Sequence, residues 1–178
     1  MKLLVAITGA SGAIYGKRLL EVLREKNIEV SCVLSDAAKK ITAHELGGFD
    51  FKCHSESDIM APFASGSHRL DAMIVIPCSM KTLAAIANGI TSNLITRSAD
   101  VTMKEGRRLI LVPRETPLNA VNIENMLKLS RLGVTILPAM PAFYHNPKTI
   151  EGLVDFIVGK VLDALGIEND LFKRWGSS

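Results

Sequence analysis

Short aliphatic runs alternate along the chain with longer segments in which apolar residues recur at helical spacing. The runs at 2–8 and 71–76 have the length and composition of strands that are buried on both faces. The segment after the first run places Leu19 and Leu23 on one face, which predicts a helix over 14–26. Repeated alternation of this kind is typical of a parallel sheet whose strands are joined by crossover helices.

The same alternation continues through the rest of the chain. It predicts strands over 2–8, 28–34, 51–54, 71–76, 108–112 and 134–137, and helices over 14–26, 36–46, 80–87, 93–105, 119–132 and 149–165. We therefore predict an α/β fold, a doubly wound, Rossmann-like parallel sheet in three layers, α/β/α. No repeat or linker divides the pattern, so we expect a single domain over 1–178 with a C-terminal tail at 166–178.

Composition and charge narrow the class of protein. Apolar residues make up 48% of the chain and aromatic residues only 5%, which indicates a globular protein with an aliphatic core. The net charge of +3 is spread without a Lys/Arg block, so we expect no nucleic-acid partner. The apolar run 3–7 is too short for a signal peptide or a membrane span, so we expect no membrane partner. The cysteines Cys32, Cys53 and Cys78 form no CxxC and predict no disulfide framework, which favours the cytoplasm.

Two half-sites follow two of the predicted strands. Thr8-Gly9-Ala10-Ser11-Gly12-Ala13 comes after the first strand, and Pro77-Cys78-Ser79-Met80-Lys81-Thr82 comes after the strand at 71–76. Small and hydroxyl residues that open a helix present free N–H groups and a positive dipole end, which bind phosphate. Ser35 and Arg114 also follow strands. The sequence thus predicts a phosphorylated cofactor at the carboxyl edge of the sheet.

The sequence does not match the motifs of several other phosphate- and nucleotide-binding sites. The glycines Gly9, Gly12 and Gly16 do not have the G-x-G-x-x-G spacing, and there is no Walker Gly-Lys-Ser/Thr. The first glycine loop and the pair Tyr144…Lys148 resemble short-chain dehydrogenases. Pro147 lies inside that pair, however, and would disrupt the helical turn on which such a pair must lie.

Further motifs extend across the chain and together identify a family. They are Asn93-Leu94-Ile95-Thr96-Arg97-Ser98-Ala99-Asp100-Val101, Leu111-Val112-Pro113-Arg114-Glu115-Thr116-Pro117, Glu124-Asn125-Met126-Leu127, Pro138-Ala139-Met140-Pro141-Ala142-Phe143-Tyr144 and Arg174-Trp175-Gly176. With the two half-sites, they make the chain similar to the UbiX/Pad1 family of flavin prenyltransferases over essentially its whole length. The resemblance implies a homo-oligomeric flavoprotein, expected to be a dodecamer, with about six parallel strands.

The resemblance also implies an activity. Members of the family join the prenyl group of dimethylallyl monophosphate to N5 and then C6 of reduced FMN, without a metal. The product, prenylated FMN, serves UbiD-type decarboxylases, among them that of ubiquinone biosynthesis. Two alternatives stay open: an FMN-dependent cysteine decarboxylase of the same fold, and a non-catalytic flavin carrier. The segment 114–117 and the Phe143-Tyr144 loop favour the transferase.

The resemblance assigns residues to three overlapping sets. The expected cofactor-binding residues are Gly9, Ala10, Ser11, Ser35, Ser79, Met80, Lys81, Thr82 and Arg114. The expected substrate-binding residues are Lys104, Arg114, Glu115, Tyr144, Lys160 and Trp175. The expected catalytic residues are Ser11, Glu45, Lys104, Glu115 and Tyr144.

Each assignment has a chemical reason and a structural alternative. Glu45 and Ser11 are expected to relay the proton lost from C6, with Glu45 as base if burial raises its pKa. Trp175 is expected to close over the allylic cation with its π face. Lys160 departs from the usual Arg of the family and lacks its bidentate fork. Lys104 could instead complement a helix dipole.

Three further residues each have a structural alternative. The Ser35 hydroxyl could serve only as a helix cap, and Tyr144 could be part of the core. Cys78 has no evident base beside it and is expected to pack beside the cofactor loop.

Overall fold

A six-stranded parallel sheet forms the centre of the molecule in the computed structural model, which describes residues 1–176. The strands are β1 (Lys2–Ile7), β2 (Glu29–Leu34), β3 (His54–Ser55), β4 (Ala72–Cys78), β5 (Arg108–Pro113) and β6 (Thr135–Ile136). The helices are α1 (Ala13–Glu25), α2 (Asp36–Leu46), α3 (Met80–Ala87), α4 (Leu94–Lys104), α5 (Ala120–Arg131) and α6 (Ile150–Leu165), with a 3₁₀ turn at Pro62–Ala64.

The strand order is β3-β2-β1-β4-β5-β6, and every neighbouring pair is parallel. The chain winds outward from β1 in one direction and then from β4 in the other. The topological switch point therefore lies between β1 and β4, where open α/β sheets bind ligands at the carboxyl ends of their strands. Both predicted half-sites follow these two strands.

Alternate residues of each central strand pack into two separate cores. In β1, Leu3, Val5 and Ile7 face one core, and Leu4 and Ala6 face the other. Helices α1 and α6 cover the first face, and α3, α4 and α5 cover the second. Both faces of the sheet are therefore covered, which explains the nearly continuous aliphatic strands and confirms the predicted doubly wound α/β fold.

The element bounds agree with the sequence prediction to within one residue at each end, except in β3 and β4. The edge strand is His54–Ser55 rather than 51–54, because only these residues pair with Val33 and Leu34 of β2. Phe51, which was expected in this strand, packs against the core beside Phe49 instead. Strand β4 continues to Cys78, with a register shift against β5 after Val75.

The cysteine prediction needs a correction. Cys32 on β2 and Cys53, which precedes β3, form a disulfide across a sequence separation of 21 residues. The expectation of no disulfide framework rested on the missing CxxC, and it overlooked that adjacent strands bring distant residues together. The bond fastens the edge strand and the segment before it to β2.

The long irregular stretch at 55–69 is held by contacts to neighbouring elements. The backbone N–H of Leu94 donates to the carbonyl of Glu56 at 2.7 Å, and Arg107 donates to the carbonyls of Gly66 and His68. Of the predicted tail at 166–178, residues 177 and 178 lie outside the described residues. The rest of the tail folds back along α6.

Candidate active site at the carboxyl edge of the sheet

Thr8 joins the two half-sites. Its buried hydroxyl donates a hydrogen bond to the carbonyl of Pro77 at 2.9 Å and accepts one from the backbone N–H of Ser79 at 2.7 Å. The backbone N–H of Thr8 also donates to the carbonyl of Pro77 at 3.2 Å. The loops that open α1 and α3 therefore lie side by side at the switch point, as the sequence predicted.

Glu45 binds the N-terminus of α1. Its carboxylate accepts hydrogen bonds from the backbone N–H groups of Gly12 at 3.0 Å and Ala13 at 2.9 Å. The nearby Ser11 hydroxyl is one of the groups that lower the pKa of this carboxyl. Gly12 precedes the helix with a φ of 104°, a conformation that glycine adopts without strain. Ser11 and Glu45 therefore lie close together at the start of α1.

The charge state of Glu45 differs from the expectation. Burial raises the pKa of the carboxyl, but the hydrogen bonds from Ser11, Gly12 and Ala13 and the charge of Arg114 outweigh it. The net pKa lies below the ordinary value for Glu. The raised pKa on which the expected role of Glu45 as base depended is therefore absent: Glu45 is an ionised carboxylate, and a weaker base than an ordinary Glu.

Arg114 brings a cation to the same loop from the end of β5. Its Nε donates to the carbonyl of Ser11 at 3.1 Å. Burial raises the pKa of the nearby Tyr15 phenol, and the positive charge of Arg114 opposes that rise. Arg114, Ser11 and Glu45 thus form one polar cluster with Tyr15 beside it.

The N-termini of the three helices that follow β1, β2 and β4 are not equally open to an anion. In α2, the Ser35 hydroxyl accepts from Ala38 N–H at 3.0 Å and Glu56 accepts from Asp36 N–H at 2.8 Å, so this N-terminus already holds the chain's own acceptors. Glu45 occupies the N-terminus of α1 in the same way.

Helix α3 has no acidic residue in its first turn. The Ser79 hydroxyl accepts from Thr82 N–H and donates to the Thr82 hydroxyl. The N–H groups of Met80 and Lys81 in this first turn have no intrahelical acceptor, because such acceptors begin only one turn later. The donors of α3 therefore fit a phosphate best.

Gly9 lets the first glycine loop lie against α2. A Cβ at this position would come within 2.5 Å of the Ala37 Cβ, which no side chain tolerates. The close approach holds the loop beside the helix that supplies Glu45.

A second group of predicted residues lies on α6, on the loop before it and on the C-terminal tail. The Tyr144 ring contacts Trp175 edge-on, with ring centroids 5.2 Å apart, and it also contacts Phe156 of α6. Lys160 pairs with Asp163, with Nζ and Oδ2 3.7 Å apart. Within residues 1–176, no hydrogen bond or ion pair joins this group to the polar cluster around Glu45.

Lys104 lies far from the polar cluster, whereas Glu115 directly follows Arg114. Lys104 ends α4 and pairs with Glu105 near the start of β5, whereas Arg114 follows the other end of that strand. Six strand residues separate the two ends by roughly 20 Å. Glu115 is exposed, and its side chain accepts from the backbone N–H of Thr116 at 2.9 Å.

The structure also tests whether Tyr144 and Cys78 are buried core residues. Tyr144 is 43% exposed and is not a core residue. Cys78 is fully buried, and burial raises the pKa of its thiol, so the thiolate needed for a nucleophile is disfavoured. Cys78 packs in the core below α3, as expected.

The sequence analysis did not assign Thr8, Tyr15 or Asp163 to the site. The signal for Thr8 was present, because a buried hydroxyl at the end of a central strand needs a hydrogen-bond partner. Across residues 1–176, no group of three or more His, Cys, Asp and Glu side chains is arranged to hold a metal ion. In that part of the chain, no helix has both the length and the apolar character of a membrane span.

Comparisons with known proteins identify the family of this chain. Residues 1–162 match the family model described as Flavoprotein. The flavin prenyltransferase UbiX of Methanocaldococcus jannaschii is 52% identical, with 99% of this chain and all of the relative covered.

Two solved structures also superpose over nearly the whole chain. A dodecameric FMN-dependent UbiX-like decarboxylase from Escherichia coli O157:H7 is 48% identical with a TM-score of 0.95, covering 99% of this chain and 100% of that one. AnUbiX (PadA1), in complex with FMN and dimethylallyl pyrophosphate, is 43% identical with a TM-score of 0.96, covering 99% and 98%.

Proposed function

Because this chain belongs to the Flavoprotein family, among its UbiX-type flavin prenyltransferases, we propose that it joins a dimethylallyl group from dimethylallyl monophosphate to N5 and C6 of reduced FMN. The observation that carries the proposal is the polar cluster of Ser11, Glu45 and Arg114 beside two helix N-termini that Thr8 holds together.

The residues at the switch point fit FMN. The N-terminus of α3, with Ser79, Met80, Lys81 and Thr82, offers hydroxyl and N–H donors and no competing carboxylate, which suits a phosphate dianion. Gly9 and Ala10 line the adjoining loop at the end of β1. The Ser35 hydroxyl already caps α2, and its further contact with FMN is a proposal that rests on the family resemblance.

Reduced FMN supplies the nucleophilic atoms N5 and C6 when it is bound. Ser11 and Glu45 relay the proton lost from C6 to one carbon of the prenyl double bond while the other carbon of that bond joins C6, and the carboxylate that takes part is ionised. Arg114 contributes positive charge where the leaving phosphate gains negative charge. Tyr144 and Trp175 supply aromatic surface that excludes water from an allylic cation and stabilises its charge.

Neighbouring subunits complete the site. Lys104 and the pair Tyr144 and Lys160 lie apart from Arg114 within one chain. The chain also exposes large apolar side chains, among them Met60 at 88% and Phe143 at 72%. A homo-oligomer, like the dodecamer of the E. coli relative, would cover such side chains and bring the separated residues to one site.

The product recipient and the location are also proposals. Prenylated FMN made here serves a UbiD-type decarboxylase, in keeping with the family resemblance. The cytoplasmic location is a proposal without support from the cysteines, because Cys32 and Cys53 form a disulfide.

The decisive experiment is anaerobic incubation of the purified protein with FMN, a reductant and dimethylallyl monophosphate, followed by mass analysis of the extracted flavin. We expect the flavin to gain one prenyl unit over many turnovers without any partner protein. Unmodified FMN that co-purifies would overturn the transferase and favour the cysteine decarboxylase. Unmodified FMN that is released only to a partner decarboxylase would favour the carrier instead.

A further inference from the structure

The C-terminal tail runs back along α6 and is closely packed there. The Asn169 side-chain amide donates to the carbonyl of Gly159 at 3.3 Å and to Asp163 at 3.0 Å. Phe172 is buried beside Gly159, where a Cβ would come within 2.6 Å of its ring. The tail is therefore fastened as far as Phe172 by packing and by one amide.

Asp163 connects this tail to Lys160. Arg174 grips both carboxylate oxygens, with Nη1 2.5 Å from Oδ2 and Nη2 2.8 Å from Oδ1. Lys160 reaches the same carboxylate from one turn earlier on α6, at 3.7 Å. The hydrogen bonds from Arg174 are the main reason why the pKa of the Asp163 carboxyl is lowered, and the charge of Lys160 adds to the effect.

Trp175 follows Arg174 directly, and its side chain is not fixed by packing in the core. Its side chain is 81% exposed, and its ring contacts that of Tyr144 edge-on. The Arg174 guanidinium also stacks on the Phe172 ring at 4.4 Å and donates to the carbonyl of Asn169 at 3.0 Å. An open groove of about 600 Å³ lies between Tyr144, Arg174 and Trp175.

We propose that Asp163 and Arg174 form a clamp that positions Trp175 against Tyr144 for prenyl transfer, and that Lys160 competes with Arg174 for the same carboxylate. The clamp rests on the proposed function only in its kinetic consequence. Arg174 and Asp163 are positioning residues, since neither needs to touch the prenyl group. A bidentate pair outcompetes a single longer contact, so the Lys160 ammonium stays available to the donor phosphate.

Two substitutions separate these roles. In Arg174→Gln, the clamp opens and the Asp163 carboxylate is left to Lys160 alone. We expect kcat to fall about three- to tenfold, and KM for dimethylallyl monophosphate to rise by a similar factor. In Asp163→Asn, the clamp also opens but Lys160 is released. We expect Asp163→Asn to show the same fall in kcat without a rise in KM. At position 174, the conservative variant Arg174→Lys should keep part of the kcat that Arg174→Gln loses.

The matched control is Lys173→Gln, which removes an exposed cation from the same tail. The kinetic series is accompanied by emission and anisotropy of Trp175, the only tryptophan of the chain, without any substrate. We expect both clamp variants, and not Lys173→Gln, to shift the emission and lower the anisotropy, with FMN binding unchanged throughout. The double variant Arg174→Gln/Asp163→Asn should be no worse in kcat than the poorer single one.

Emission and kcat of Arg174→Gln that match Lys173→Gln would overturn the clamp. A KM that moves in the same direction in both variants would overturn the competition for Asp163. If the wild-type protein forms no prenylated FMN, the proposed function fails, and the substrate-free tryptophan signals still decide whether the clamp exists.

Discussion

Glu45 takes the place at the N-terminus of α1 that an external anion would otherwise occupy. Its carboxylate accepts from Gly12 and Ala13, so this helix end holds the loop and the base together rather than a phosphate. Single residues at the sheet edge therefore determine which helix N-terminus can bind a phosphate. Glu45 occupies α1, Glu56 occupies α2, and the open N-terminus of α3 is left for the phosphate of FMN.

The role of Glu45 can be tested by Glu45→Gln, which keeps an oxygen to accept from Gly12 but cannot take up a proton. We expect formation of the four-ring flavin to slow by about 10²- to 10⁴-fold, while phosphate release from the donor slows less. His44→Gln, an exposed neighbour on α2, serves as the control. Equal slowing of both steps in Glu45→Gln would show that the residue has no specific part in ring closure.

The pH dependence of the wild-type protein follows from the lowered pKa of Glu45. A carboxyl whose pKa is lowered in the folded state stays ionised above its ordinary value of 4.5 and is protonated only below it. Ring closure should therefore show no loss from protonation of Glu45 down to about pH 5. A pH–rate profile with an acid limb near neutrality that Glu45→Gln removes would contradict this.

At the scale of elements, the edge strand β3 is too short to be stable by its own pairing and depends on the Cys32–Cys53 disulfide. Two residues pair with β2, which is too few for a stable strand by itself. The Cys32–Cys53 disulfide fastens the segment between α2 and β3 to the interior of the sheet. Because that segment follows Glu45 directly, the disulfide also limits how far the C-terminal end of α2 can move.

Reduction of this disulfide should lower the free energy of unfolding by about 3 kcal/mol, because it frees a loop spanning 21 residues in the unfolded chain. The measurement is denaturant unfolding with and without a reductant. A Cys32→Ser/Cys53→Ser variant should not respond to the reductant. Three free thiols per chain, titrated in denaturant without reductant, would contradict the prediction.

At the scale of the whole molecule, one chain holds the parts of the site in three separate places. The cluster around Arg114 lies at the carboxyl edge of the sheet, Lys104 lies roughly 20 Å away at the opposite edge, and Tyr144 lies beside α6. Charge on Lys104 contributes to prenyl transfer in this arrangement only if another copy of the chain brings it to the site.

Mixing inactive variants tests this arrangement. Lys104→Ala and Tyr144→Ala are each expected to lose most activity, and mixed oligomers reassembled at equal ratio should regain about a quarter of wild-type activity, since random mixing restores both residues in one site in four. The control is each variant reassembled alone. No recovery after verified subunit exchange would mean that both residues come from the same chain.

The alternating pattern of the chain by itself determined the layers, the parallel sheet and the order of elements, because strands buried on both faces must be aliphatic and helices must present one apolar face. It also determined that hydroxyl residues follow β1 and β4, and hence that two half-sites face the same edge. The family motifs added the chemistry of the flavin and the prenyl donor, which no periodicity contains.

Only the tertiary structure decided which groups meet. It brought Cys32 to Cys53, Glu45 to the N-terminus of α1, and Arg174 to Asp163. It also lowered the pKa of Glu45 where burial alone would have raised it, since the Ser11 hydroxyl, the N–H groups of Gly12 and Ala13 and the charge of Arg114 together outweigh burial and come from distant segments. These contacts depend on distances between segments remote in the sequence, and hydrophobic periodicity reports only the face on which each residue lies.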